Sequence, residues 1–488
     1  MRHRLLCSLV IMLISTSAMS QSDPGMGADD PASRAVAQMK AMDDPPSGLL
    51  MEGYVMEELG LSGSRFPNPA GRFPVVDHPV HLEPLFRPDP AQPLADAIAA
   101  LRKEFTDPIS MTWQPMAAWT YQHATKVVPG RPHAKSLLWQ AISSTWTLWQ
   151  NNGDYGQISC SLQNNVGVGT PLEPYLGPAV GDPTVINNIL VSPDTTVQLY
   201  WQQSFFEDSI RWRIGKISDA SFFDRNAVAY DPIGGFMSLG FNQSLTNPFP
   251  SRGFGTVLSA DFGDNMTIRS GILNSASAGA TSGFDGLSWA HLLTIVEADI
   301  RIFPEVFGSQ REGHLRFMGW YNAIENPDGP GNIGGPGATF NMDLAVSDNA
   351  TVFARVGWGS QDVTVSNFAV SCGFGISSPF GLKSCQTGLA VEYAHITPLG
   401  RASAGLYEPG SPIQAPRPGG IYGVGFLAGT LGATHQPISG GEHYMLEWYW
   451  RVHATESTDT GPVIQVVRDP GAGIDTSIIW GWRTTISF

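Results

Sequence analysis

From about residue 108 to the end of the chain, apolar and polar residues alternate with period two over many short stretches. At the C-terminus, Ile478, Trp480, Trp482, Thr484, Ile486 and Phe488 fall in one phase, and Ile479, Gly481, Arg483, Thr485 and Ser487 in the other. Successive side chains of a strand point to opposite sides, so this pattern predicts a strand with one apolar-aromatic face and one largely polar face. Tyr444, Leu446, Trp448, Trp450 and Val452 alternate in the same way with Met445, Glu447, Tyr449 and Arg451. Ala290, Leu292, Thr294, Val296, Ala298, Ile300 and Ile302 alternate with His291, Glu297, Asp299 and Arg301. Shorter examples set Ile210, Trp212 and Ile214 against Arg211 and Arg213, and Val352, Ala354, Val356 and Trp358 against Arg355. Weaker strands are predicted near 196–205, 254–262, 266–273, 315–324, 387–396 and 420–428, with the Gly- and Pro-rich run from Glu325 to Gly337 read as a separator.

A soluble β-sandwich alternates too, burying its apolar face. Two features favour a membrane barrel. Several stretches exceed ten residues, near the ~9–11 that a tilted strand needs to cross a bilayer. Trp448, Trp450, Trp480 and Trp482 are read as lying towards strand ends, where indole rings suit the membrane interface. In a barrel the apolar face meets lipid, the polar face lines the lumen, and closure pairs every backbone amide, as lipid requires. The fold class is therefore all-β, a transmembrane antiparallel barrel of sixteen strands, with eighteen as the alternative count.

The first part of the chain reads differently. Arg2 and Arg4 precede an apolar stretch from Leu5 to Ile14, and Ala18, Met19 and Ser20 supply small residues for cleavage, so residues 1–20 are expected to be a secretory signal. Residues 21–106 form a Pro-rich extension, placed in the periplasm, with Pro67, Pro69, Pro74, Pro79, Pro84, Pro88, Pro90 and Pro93 resisting regular structure. Leu94, Ile98, Leu101 and Phe105 predict a short amphipathic helix near its end. The barrel is assigned to 107–488.

Composition changes the picture in one respect. Only 15% of the 488 residues are charged and the net charge is −15, where an average soluble domain has roughly 25% charged residues. The acidity comes from scarce Lys and Arg, which argues against a nucleic-acid partner. Loss of Arg2 and Arg4 with the signal takes the charge to −17. A barrel explains the low charge, because half of each strand faces lipid. Cys372 and Cys385 enclose a short Gly-rich segment, and a disulfide between them is expected in an oxidising compartment, with two free thiols as the alternative. Cys160 shares its phase with Ile158 and Leu162 and is read as an inert lipid-facing thiol. Gly329, Gly331 and Gly334 fit a G-x-G-x-x-G spacing but lack a βαβ context, and His78 and His81 sit in the Pro-rich extension. No cofactor, metal or catalytic site is expected.

Two stretches carry a family resemblance. The first runs from Ser209 to Ile217, ending in Arg213, Gly215 and Lys216, and continues through Phe222, Phe223, Asp224, Arg225 and Asn226 to Phe236, Asn242 and the Pro248–Pro250 segment. The second comprises Glu447 to Arg451, Gly461 to Gln465, Asp469 to Gly471, and Gly481 to Phe488; Phe353 to Trp358 is a shorter third match. Over about residues 107–488 the chain resembles the carbohydrate-selective porin (OprB-like) family. The resemblance implies a 16-stranded barrel in the bacterial outer membrane, periplasmic termini and passive uptake of small sugars. The strand ending in Phe488 looks like the signal that such barrels present to the assembly machinery.

A sugar pore needs hydrogen-bonding groups for hydroxyls and rings for apolar sugar faces. The candidate pore-lining residues in the polar phase are Arg211, Arg213, Glu297, Asp299, Arg301, Arg316, Trp320, Arg355, Glu447, Tyr449, Arg451 and Arg483. A secreted glycan-binding β-sandwich and an outer-membrane channel for another solute class are the competing readings, and the oligomeric state is left open.

Overall fold

The computed structural model describes residues 82–488 apart from 170–175, 183–186, 188–195, 249–251, 277–281, 285, 326–331, 398–399, 401–405, 408–433, 436–440 and 472–473. Sixteen antiparallel strands close into one barrel. They are β1 (Met111–Ala124), β2 (Ala134–Asn151), β3 (Asp154–Gly167), β4 (Thr196–Phe205), β5 (Ile210–Ile217), β6 (Gly253–Phe262), β7 (Met266–Asn274), β8 (Leu292–Ile302), β9 (Gly313–Glu325), β10 (Asn332–Ala345), β11 (Ala350–Gly359), β12 (Ser366–Ser377), β13 (Cys385–Ile396), β14 (Glu442–Thr455), β15 (Thr458–Gly471) and β16 (Ile474–Ser487). Each strand pairs with its sequence neighbours, and β1 closes on β16 through a register running from Met116 opposite Ser487 to Ala124 opposite Ile479. A closed cylinder has no second sheet, which removes the sandwich, and its count is sixteen rather than eighteen.

Short and long connectors alternate around the barrel. One rim carries 152–153, 206–209, 263–265, 346–349 and 456–457, together with the chain ends of the barrel. The other carries 168–195, 218–252, 275–291 and 397–441. Outer-membrane barrels keep short turns on the periplasmic side. The tightest turn is Asn152–Gly153, with φ of 49° and 86°, the pair of positive values that a two-residue hairpin turn demands and that Asn-Gly adopts readily.

The predicted faces are observed. Trp480, Trp482 and Ile478 are exposed on the outside of β16, while Ile479, Arg483 and Thr485 are buried on the inside. Outward indoles find partners on the next strand: Trp119 donates to the Ser136 hydroxyl, Trp212 to Thr256 and Trp482 to Thr460. A lipid-facing N–H has no water to turn to, so a neighbouring hydroxyl takes that role.

Several expectations need correction. Trp448, Trp450, Trp480 and Trp482 fall in the middle of the fourteen-residue strands β14 and β16, not at their ends. The second half of the Glu325–Gly337 separator is strand: β10 begins at Asn332, and Pro336 pairs with Tyr321. Its glycines are there for space, since a Cβ on Gly337 would meet the Trp320 ring at 2.0 Å. The helix spans Gln92–Leu101 and then loosens into a π-type turn at Arg102–Thr106. That change of pitch takes Phe105 out of phase, so Ile98 is buried while Leu94 and Phe105 are exposed.

Cys372 and Cys385 are not bonded. Cys372 lies opposite Val391, six residues along β13 from Cys385. At ~3.3 Å per residue that is about 20 Å, far beyond the ~7 Å limit between bridged Cα atoms. Cys160 lies in the outward phase, as its neighbours predict. The 1–20 signal, His78, His81, Gly329, Gly331 and the 420–428 strand lie outside the described residues.

Candidate functional site in the barrel lumen

The 218–252 connector leaves the barrel between the adjacent strands β5 and β6, yet its partners lie on β8, β10, β11, β14 and β16. It is folded into the lumen. Three groups of inward side chains hold it there.

The first centres on Asp224, which sits in the left-handed region at φ 56°. Its carboxylate accepts hydrogen bonds from Arg355 Nε at 2.9 Å, Asn341 Nδ2 at 2.8 Å, the Ser244 amide at 2.7 Å and Asn247 Nδ2 at 2.9 Å. Its own amide donates to Glu297 at 2.7 Å. Arg355 also donates to the carbonyls of Phe241, Asp224 and Ala229. With both ions buried, each lone pair and each N–H needs a partner, and this arrangement supplies them.

The second group is on β14 and β16. Glu447 accepts the amides of Met237 and Ser238 and the side chain of Gln465. Arg483 donates to the carbonyls of Pro232 and Gly235, and Arg451 to that of Gly234. Arg451 also pairs with Asp459. Between these polar contacts Phe236 meets Tyr449 edge-on, with ring centroids 5.0 Å apart, and packs on Phe241 and Phe353. Asp231 caps the same bend by accepting the amides of Ile233 and Gly234. Burial raises its carboxyl to about 6, against the opposing pull of Arg451 and Arg483.

The third group is an ion-pair ladder running along β7 to β10. Arg269 bridges Glu297 and Asp299, and Arg316 bridges Asp299 and Asp343, while His314 also meets Asp299 at 2.9 Å. Arg301 pairs with Glu312. On β5, Arg211 pairs with Asp208 and Asp261, and Arg213 donates to Gln202 and Ser259 beneath the Phe222 ring.

All twelve sequence candidates therefore sit on the inner wall. Ten are almost fully buried; Arg301 and Arg451 keep 25% and 14% of their side-chain surface exposed. Trp320 packs in a second apolar cluster with Phe222, Phe223 and Ile295. Arg355, Glu447, Arg451 and Arg483 hold the inward segment; Arg211, Arg316, Asp299 and Arg301 hold one another or neighbouring acids. The sequence reading missed Asp224, Asn341, Arg269 and Asp343 as members of the set. Asp224 was visible only as part of the family-like turn, and the other three lay in strands not singled out.

A closed sixteen-stranded barrel with lipid-facing aromatics and a long connector narrowing its lumen is the architecture of an outer-membrane porin. The chain belongs to the carbohydrate-selective porin, OprB family, whose model matches residues 194–488. Among solved structures it is similar to Pseudomonas putida OprB at high pH, with a TM-score of 0.61 and 14% identity, covering 80% of this chain and 97% of that one. A mutant porin of Rhodopseudomonas blastica matches at a TM-score of 0.45 and 10% identity, covering 78% of this chain and 100% of that one. No curated protein sequence matches the chain significantly. Porins are channels, and the chain is not an enzyme.

Proposed function

We propose that this porin passes small neutral sugars by passive diffusion across the outer membrane into the periplasm. The observation that carries this reading is the docked 218–252 segment, which narrows the lumen with charges that are already paired. A constriction built from satisfied ion pairs offers little net charge to a passing ion, while its rim carbonyls and amides remain compatible with hydroxylated solutes. Weak, exchangeable contacts suit flux, which needs release as much as entry. Arg301 and Arg451, with their exposed side chains, are the charged candidates best placed to meet solute. In the same reading residues 1–20 direct export, 21–106 form a periplasmic extension, and the strand ending at Phe488 is presented to the assembly machinery.

Liposome swelling across a solute panel tests the proposal. Neutral hexoses are expected to enter faster than anions of matched size. Equal rates would remove sugar selectivity and leave a general channel for another solute class.

A further inference from the structure

The inner wall formed by β2 and β3 differs from the rest of the lumen. In register, Ser143 lies opposite Ser161 and Thr145 opposite Ser159. Thr112 flanks Thr145 on β1, and Tyr200 and Gln198 flank Ser159 and Ser161 on β4. From Ala141 to Thr145 and from Gln157 to Gln163 the inward residues carry no ionisable group. Ser161 has a partner in Gln163. The hydroxyls of Ser143, Thr145 and Ser159 have none, although these residues are only 5%, 5% and 1% exposed.

A buried hydroxyl left without a partner costs about 1–3 kcal/mol. Three neighbours in that condition on one patch of wall call for a partner that the protein itself does not supply. The contrast with the facing wall is direct, since Arg269, Glu297, Asp299 and Asp343 are bonded to one another or to the docked segment.

We propose that Ser143, Thr145 and Ser159 form a transit subsite for neutral polyhydroxylated solutes. This inference rests on the sugar-porin reading above. A hydroxyl both donates and accepts, as do water and a sugar hydroxyl, so one can replace the other at this wall with no group left unpaired. An anion or cation gains nothing here to offset its lost hydration, because no opposite charge faces it. The subsite thus favours passage of neutral polyols without holding them.

The test uses the full mature protein in liposomes, with glucose as the neutral probe and KCl conductance measured in parallel. The double variant Thr145→Val with Ser159→Ala removes two hydroxyls with little change in volume. Its glucose flux is expected to saturate at roughly fivefold higher concentration, the change expected for losing about one net hydrogen bond, with KCl conductance preserved. Ser144→Ala, one residue away in the lipid-facing phase, is expected to saturate as the parent does. An unchanged saturation in the double variant would overturn the subsite, as would an equal shift in Ser144→Ala, which would mark a general structural effect. A parent protein that conducts KCl but passes no glucose would instead sink the sugar-porin reading, and the subsite with it.

Discussion

Asp224 and Arg355 are 131 residues apart in sequence, yet the Arg355 Nε–H donates to the Asp224 carboxylate at 2.9 Å inside the barrel. The pair joins the inward segment to β11, and both side chains are only 1% exposed. Removing one partner of a buried pair leaves an uncompensated charge and costs about 3–5 kcal/mol. Here that cost falls on the docked segment, because the strand ladders hold the barrel independently. Asp224→Asn and Arg355→Met are each expected to raise single-channel conductance and weaken solute discrimination while the protein still shows the gel mobility of a folded barrel. Unchanged single-channel currents in both variants would show that the pair does not control the lumen.

Asp231 ties the far end of the same segment to pH. Its folded carboxyl, raised by burial to about 6, lies above the ordinary value near 4. A group that holds its proton more tightly when folded stabilises the docked state fully below its unfolded value, and that contribution is lost as pH rises through the folded one. Amide exchange at residues 232–236 is therefore expected to be slowest below about pH 4 and to quicken towards pH 6, with Asp231→Asn flattening the profile. A profile that keeps its slope in the variant would assign the effect to another group.

Arg102, beside the N-terminal helix, donates to the carbonyls of Trp113 on β1 and Phe488 at the end of the chain. It clasps the seam where the first strand meets the last. Arg102→Ala is expected to lower the temperature at which the folded gel band disappears, through the loss of about 1–3 kcal/mol of charged hydrogen bonding. A melting temperature equal to the parent's would show that the seam closes without this clasp.

The cysteines give a simple chemical check. Cys160, Cys372 and Cys385 are free. In unfolded, unreduced protein a maleimide is expected to label each of them, and reductant is expected to leave the melting temperature unchanged. Protection of Cys372 and Cys385 until reduction would contradict the register of β12 and β13.

The sequence by itself determined the barrel. Period-two alternation states which residues face lipid and which face inward, and lipid permits only a closed sheet to satisfy the backbone, so β14, β16 and β8 were legible from their side chains alone. The twelve candidates were rightly placed on the inner face for the same reason. Their partners were not legible, because a phase along one strand carries no information about what lies across the lumen. Arg355 and Glu447 look alike as inward charges, and only the path of 218–252 makes both of them anchors for one segment. The spacing of Cys372 and Cys385 suggested a bond that strand register forbids, since six residues along an extended strand is too far to bridge. The Ser143, Thr145 and Ser159 wall stayed hidden because small hydroxyls suit either side of a strand. Tertiary structure set the strand count, the register and the bonding of the lumen, since each depends on pairings between residues distant in sequence.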